Sequence, residues 1–139
     1  MKLTAILLAI TLFAFGAPAT SSAETPEAAA ESAALAWLTL VDAGNYAQSW
    51  KDASALFRQS VSESQWQSAA AAARAPLGAL ISRKLQSVTF KNSLPGAPDG
   101  EYVVVQFASS FEHKASAIET VTPMKDPDGK WHVSGYYIK

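Results

Sequence analysis

Apolar positions between Glu27 and Ala43 recur at helical spacing. Ala34, Trp37, Leu38 and Val41 share one stripe, with Leu35 beside it. Thr25-Pro26-Glu27 reads as the start of that helix: a hydroxyl at the N-cap, proline at the first helical position and a carboxylate at the positive end of the dipole. Gly44 supplies the left-handed residue that closes a helix, and Asn45 is placed to cap the next one. A second helix is expected to carry Tyr46, Trp50 and Ala53 at spacings of four and three, and then Leu56 and Phe57. Ser62-Glu63-Ser64-Gln65 fits a capping box, and a third helix runs on through Trp66, Ala69, Ala70 and Ala73. Pro76 and Gly78 end or kink it. The successive alanines from Ala69 to Ala73 fit two readings, close approach of a neighbouring element or plain helix propensity.

After Arg83 the period changes to two. Val88 and Phe90 begin a strand, and Leu94-Pro95-Gly96-Ala97-Pro98-Asp99-Gly100 is a turn-rich loop. Val103, Val105, Phe107 and Phe111 alternate with Tyr102, Val104, Gln106 and Ala108. A β-branched run from Ala115 to Lys125 gives a third strand, Asp126-Pro127-Asp128-Gly129 a hairpin, and Lys130 to Lys139 the last strand. Helices followed by strands predict an α+β domain, with about three N-terminal helices packed on one face of a four-stranded antiparallel sheet.

Two-residue turns at Glu112-His113 and Asp128-Gly129 would set the register. Phe107 would then face Ile118, Gln106 face Glu119, Met124 face Val133 and Thr120 face Tyr137. That register puts Val103, Val105, Phe107, Phe111, Ile118, Met124, Trp131, Val133 and Tyr137 toward the helices. The other face would be mixed: Tyr102, Val104, Gln106, Glu119, Val121, His132, Tyr136 and Ile138. A face so apolar fits a homodimer interface or a bound partner.

The first residues follow another logic. Lys2 precedes a nearly unbroken apolar run from Leu3 to Phe15; Gly16 and Pro18 break it, and Ser21-Ser22-Ala23 leads into Glu24. This is the layout of a cleavable signal peptide covering residues 1–23, and it is short of the ~20 apolar residues needed to span a bilayer. Cleavage after Ala23 is expected, with Ala19 as the other candidate, and the mature chain would be periplasmic or secreted. The 116 residues from Glu24 to Lys139 form a single domain. Without cysteine, disulfides, thiolate metal sites and lipidation at the cleavage site are excluded, so the apolar core must hold the domain together. Ten basic against twelve acidic residues in the mature chain, with no charge run, leave no footprint for nucleic acid and no polybasic membrane patch.

The segments A-W-L-T-L-V-D-A-G-N-Y-A-Q-S-W, F-R-Q-S-V-S-E-S-Q-W, R-A-P-L-G, L-P-G-A-P-D-G-E-Y-V-V-V-Q-F and D-G-K-W-H-V-S-G-Y-Y-I-K, taken in order, resemble the domain of unknown function 4019 family of exported bacterial proteins. The likeness covers roughly residues 34–139 and supplies no catalytic residues. The arrangement is also similar to the wider NTF2-like (cystatin-like) α+β group, which implies a helical hairpin over a curved, cone-shaped sheet. That group includes enzymes, ligand carriers and inert partner-binding modules, and fold alone does not choose among them.

No motif of known mechanism and no cofactor fingerprint is present. Trp37, Tyr46, Trp50, Trp66 and Trp131 are the candidate pocket or core lining. Asp42, Glu119 and His132 are the candidate polar site. Each has a structural reading beside the chemical one. Asp42 adjoins a helix end, where its side chain can bond the corner's amides. A lone carboxylate at Glu119 would need a partner, for which Arg74 and Arg83 are available. His113 fits a turn and His132 a half-exposed strand, and two histidines so separated do not make a metal site. The first functional reading is a non-catalytic exported module that binds a partner protein or a small apolar ligand. The alternative is a small lyase or isomerase acting inside the cone, with Asp42, Glu119, His132 or a tyrosine as its acid or base.

Overall fold

The computed structural model describes residues 16–20 and 22–139, so the apolar run from Leu3 to Phe15 and Ser21 lie outside the described residues. The chain forms α1 (Pro26–Asp42), α2 (Tyr46–Asp52), α3 (Ala55–Ser60) and α4 (Glu63–Arg74). A single 3-10 turn (Ala75–Leu77) then leads into β1 (Leu80–Lys91), β2 (Tyr102–Phe111), β3 (Lys114–Lys125) and β4 (Trp131–Ile138). The strands form one antiparallel sheet in the order β1-β2-β3-β4, curved and open, with the helices packed on it. The fold is α+β, as the order of periodicities predicts.

Helix starts follow local chemistry. Thr25 Oγ1 accepts from the amide of Ala28, and Ser62 and Gln65 form both halves of the capping box. Gly44 closes α1 with φ +74, a conformation that costs a residue with a Cβ. Asn45 makes no side-chain capping bond to α2. The expected second helix is two. At Ala53-Ser54 the backbone turns extended, the Ser54 amide donates to the carbonyl of Val133, and the Ser54 hydroxyl caps α3 by accepting from Phe57. A sheet contact thus interrupts a pattern that local spacing would continue. Of the five alanines in α4 only Ala70 is buried, so helix propensity explains most of the run.

α1 lies across the sheet and touches all four strands. Its stripe of Ala30, Ala34, Trp37, Leu38 and Val41 meets Val103, Val105, Phe107, Val121 and Val133, while Phe57, Trp66 and Ala70 close the side. Burying such side chains contributes roughly 1.5–3 kcal/mol each for the larger ones.

The register departs from expectation at two bulges. Glu112-His113 is the tight turn, and Phe111 pairs with Lys114. A shift between Ser109 and Phe111 then moves the ladder by one, so that Phe107 faces Glu119 and Val105 faces Val121. Thr120 does pair with Tyr137, but a second shift at Thr122/Pro123 places Met124 opposite His132. Consequently Glu119, Val121 and Tyr136 sit on the helix side, and Ile118 and Tyr137 on the outer side. An extra residue in one strand reverses every side chain beyond it. Tyr102, expected on an open face, is 1% exposed because its hydroxyl donates to Pro98 and the loop before β2 covers it.

Candidate functional site

The chemistry-bearing residues gather in two places. The first is a polar cluster between the end of α1, the end of α4 and the sheet, buried at Glu119 and open to solvent at Asp42. Glu119, in the middle of β3, is fully buried. Its Oε1 accepts from Arg83 Nε (2.8 Å) and from the Ser109 hydroxyl (2.6 Å); its Oε2 accepts from the Tyr136 hydroxyl (2.5 Å). Each donor comes from a different strand, because β1, β2 and β4 bring inward-facing positions alongside β3. Arg83 also reaches Asp42: Nη1 donates to Oδ2 at 2.8 Å and Nη2 to Oδ1 at 3.0 Å. Arg74 donates from Nη2 to the same Oδ1 at 2.8 Å.

Two carboxylates and two guanidiniums therefore neutralise one another. Burial opposes the charge on Asp42, but the hydrogen bonds from Arg83 and Arg74 outweigh it and hold the carboxyl below the usual carboxylate range. Arg83 is likewise discouraged by burial yet held more firmly protonated by Asp42 and Glu119. Burial, and then the charge of Glu119, pushes the Tyr136 phenol well above its ordinary value. Arg74 is 6% exposed, and its Nε and Nη1 have no hydrogen-bond acceptor; the guanidinium lies over the Phe111 ring, 4.8 Å from the centroid. The electron-rich ring face takes up part of that positive charge.

The second place is an open groove between α1, the end of α2 and the start of β4. It has a volume of about 340 Å³ and apolar walls from Ala33, Ala36, Leu40, Trp37, Trp131 and Val133, with Lys51, Asp52 and His132 at its rim. Its floor is rigid. Trp37 packs on Trp66 and Tyr136 with ring centroids 5.6 and 5.4 Å apart, and Phe57 meets Trp66 edge-on at 5.1 Å. The indole N–H of Trp37 donates to the Ser49 carbonyl and that of Trp66 to the Ser49 hydroxyl, both at 2.8 Å. Ser49, fully buried, thus fixes two tryptophans from one short helix.

At the rim, His132 Nε2 lies 2.8 Å from Asp128 Oδ2, and Nδ1 lies 3.1 Å from the Asp52 carbonyl. Both partners are acceptors, so the ring satisfies both only as the doubly protonated imidazolium. Partial burial works against that charge, but the bonds to Asp128 and Asp52 outweigh it and raise the His132 pKa. Asp128 is correspondingly held below the ordinary carboxylate range by the hydrogen bond from His132.

Asp42 and Glu119 come together through Arg83; His132 lies apart from them, in the groove. Asp42 is an ion-pair residue and not the turn-forming acceptor that its place at the corner implied. Glu119 takes Arg83 as its partner, whereas Arg74 goes to Asp42. Trp37 and Trp131 line the groove. Trp66 lies beneath it and borders a second, smaller hollow with Ala69, Ala70, Ala73, Tyr136, Tyr137 and Ile138. Tyr46 and Trp50 are packing residues on the flank of the core, and Trp50 Nε1 donates to the Val61 carbonyl. Ser49, Ser109 and Lys51 carry no signal in the chain beyond ordinary polar spacing, and Asp128 is marked there only as a hairpin residue. Only the fold makes them neighbours of the tryptophans, Glu119 and His132. Among the described residues no group of three or more histidine, aspartate or glutamate side chains is arranged to hold a metal, and no helix is long and apolar enough to cross a membrane.

No curated protein matches the chain. The family model described as "Protein of unknown function (DUF4019)" matches residues 33–136, from the middle of α1 to Tyr136 at the heart of the polar cluster, and the chain belongs to that family.

Proposed function

We propose that this chain is an exported, non-catalytic binding module whose groove beside Trp37 and Trp131 receives a small apolar ligand or an apolar side chain of a partner protein. The observation that carries this reading is the contrast between the two places. In the polar cluster Asp42, Glu119, Arg83 and Tyr136 spend their hydrogen-bonding groups on one another, with Glu119 fully buried at its centre and Asp42 at its solvent edge. In the groove the surface open to a ligand is chiefly aliphatic and aromatic. A general base needs a free acceptor beside substrate, and His132 has both ring nitrogens engaged. Apolar concavities on a preformed floor are ordinary small-molecule sites. The pattern of residues 1–23 supports export. Tyr137, 59% exposed on the outer sheet face near Ile118, supports self-association there as a secondary reading, which light scattering decides.

Native mass spectrometry of the chain purified from its own periplasm tests the main reading: a co-purifying apolar ligand or partner is expected. Ala36→Trp, which fills the groove, should abolish that association while leaving the fold intact by circular dichroism. Retention of the ligand in that variant would place the site elsewhere. Turnover of a small carbonyl substrate lost in His132→Gln would favour the lyase or isomerase reading.

A further inference from the structure

β1 is an edge strand of twelve residues, and it differs from the opposite edge. β4 is covered at its start, where the Ser54 amide donates to Val133 and His132 reaches the Asp52 carbonyl. Among the described residues, the backbone of Leu80–Lys91 bonds only to β2, so its outward amides and carbonyls are free. Of the five large apolar side chains left exposed among the described residues, three belong to this strand: Ile81 (66%), Leu85 (47%) and Phe90 (37%). Such an edge is a template for another strand.

The two faces of β1 differ in chemistry. Leu85, Val88 and Phe90 pair with Phe107, Val105 and Val103, and so continue the helix-side face. Lys84 and Lys91 pair with Ala108 and Tyr102 and lie on the outer face. Arg83, Lys84 and Lys91 are the strand's only charged residues, and Arg83 is consumed by Asp42 and Glu119. We propose that β1 captures an extended segment of a partner protein that alternates apolar and acidic residues. Its apolar side chains would extend the Leu85–Phe90 face, its carboxylates would meet Lys84 and Lys91, and its backbone would complete the ladder. The regular run Ser87–Lys91, beyond the bulge at Leu85/Ser87, provides the uninterrupted register for it. A second copy of this chain fits less well, since antiparallel pairing across Lys84–Lys91 sets Lys84 of one copy opposite Lys91 of the other. The surface is separate from the groove, and its test does not depend on groove binding.

The probe is a blocked octapeptide alternating valine and glutamate, titrated into isotopically labelled chain and followed by amide chemical shifts. Shifts concentrated on Ser87–Lys91, absent with the valine–lysine peptide, are expected. Lys84→Glu/Lys91→Glu, both exposed changes, should weaken the glutamate peptide by at least about tenfold and admit the lysine peptide. Equal response to both peptides, shifts confined to the Trp37–Trp131 groove, or no shifts would each overturn the proposal. So would β1 amides that are protected in the concentrated free chain and exchange on dilution, which would assign the edge to a second copy.

Discussion

Arg83 Nε lies 2.8 Å from Glu119 Oε1, and the two residues are neighbours only because β1 and β3 flank Ser109 on β2. Arg83 spans the gap between this fully buried carboxylate and Asp42, tying the sheet to the end of α1. One guanidinium thereby connects two elements that, among the described residues, no backbone hydrogen bond joins.

Removing the central carboxylate should be costly. Glu119→Gln leaves Arg83 facing a neutral amide and sets an NH₂ group against an existing donor. A loss of about 3–5 kcal/mol is expected for breaking a buried pair. Tyr136→Phe should cost only ~1 kcal/mol, because Glu119 keeps its bonds from Arg83 and Ser109. Urea unfolding of the two variants checks the order.

Among the described residues, Asp42 is the only hydrogen-bonding partner of the Arg74 guanidinium. Asp42→Asn should cost about 2–4 kcal/mol, and Asp42→Asn/Arg74→Met should recover part of that loss, since an uncompensated buried charge is worse than none. The depressed pKa of Asp42 gives a sign as well. Its stabilisation is complete above the ordinary carboxylate value and fades as pH falls through the lower folded value. Acid unfolding of the wild type should therefore be steeper than that of the double variant.

His132 acts in the opposite direction. Its pKa is raised, so its contribution is complete below about pH 6.5, the ordinary histidine value, and fades as pH rises through the folded value. Denaturant midpoints should fall across that window in the wild type and stay flat in His132→Gln. An NMR titration of the ring in the wild type should give a pKa above the ordinary one.

The tryptophans should separate by burial. Trp66, 7% exposed beneath the groove, should cost about 3–5 kcal/mol on truncation to alanine. Trp50 is only partly buried on the flank of the core, and Trp50→Ala should cost less, roughly 2 kcal/mol. Equal losses in thermal unfolding would contradict the packing described here.

Much of the local chemistry was legible in the chain, though Asn45 makes no capping bond and the cap at Ser54 was not expected. The N-caps at Thr25 and Ser62, the left-handed Gly44, the Glu112-His113 turn and the α+β order all follow from neighbours within a few residues, and those forces act the same way in any fold. The identities of Asp42, Glu119 and His132 as noteworthy polar residues were legible too, as was Arg83 as a candidate partner of Glu119. Tertiary structure decided the rest. The Ser54–Val133 bond split one helix into two, and bulges at Ser109–Phe111 and Thr122–Pro123 turned Glu119, Val121 and Tyr136 inward. A strand carrying glutamate reads as polar on that side. The side became the interior because Arg83, Ser109 and Tyr136 arrive from three other strands to satisfy the carboxylate. Such compensation depends on residues ten to thirty-six positions away, and no local period records it.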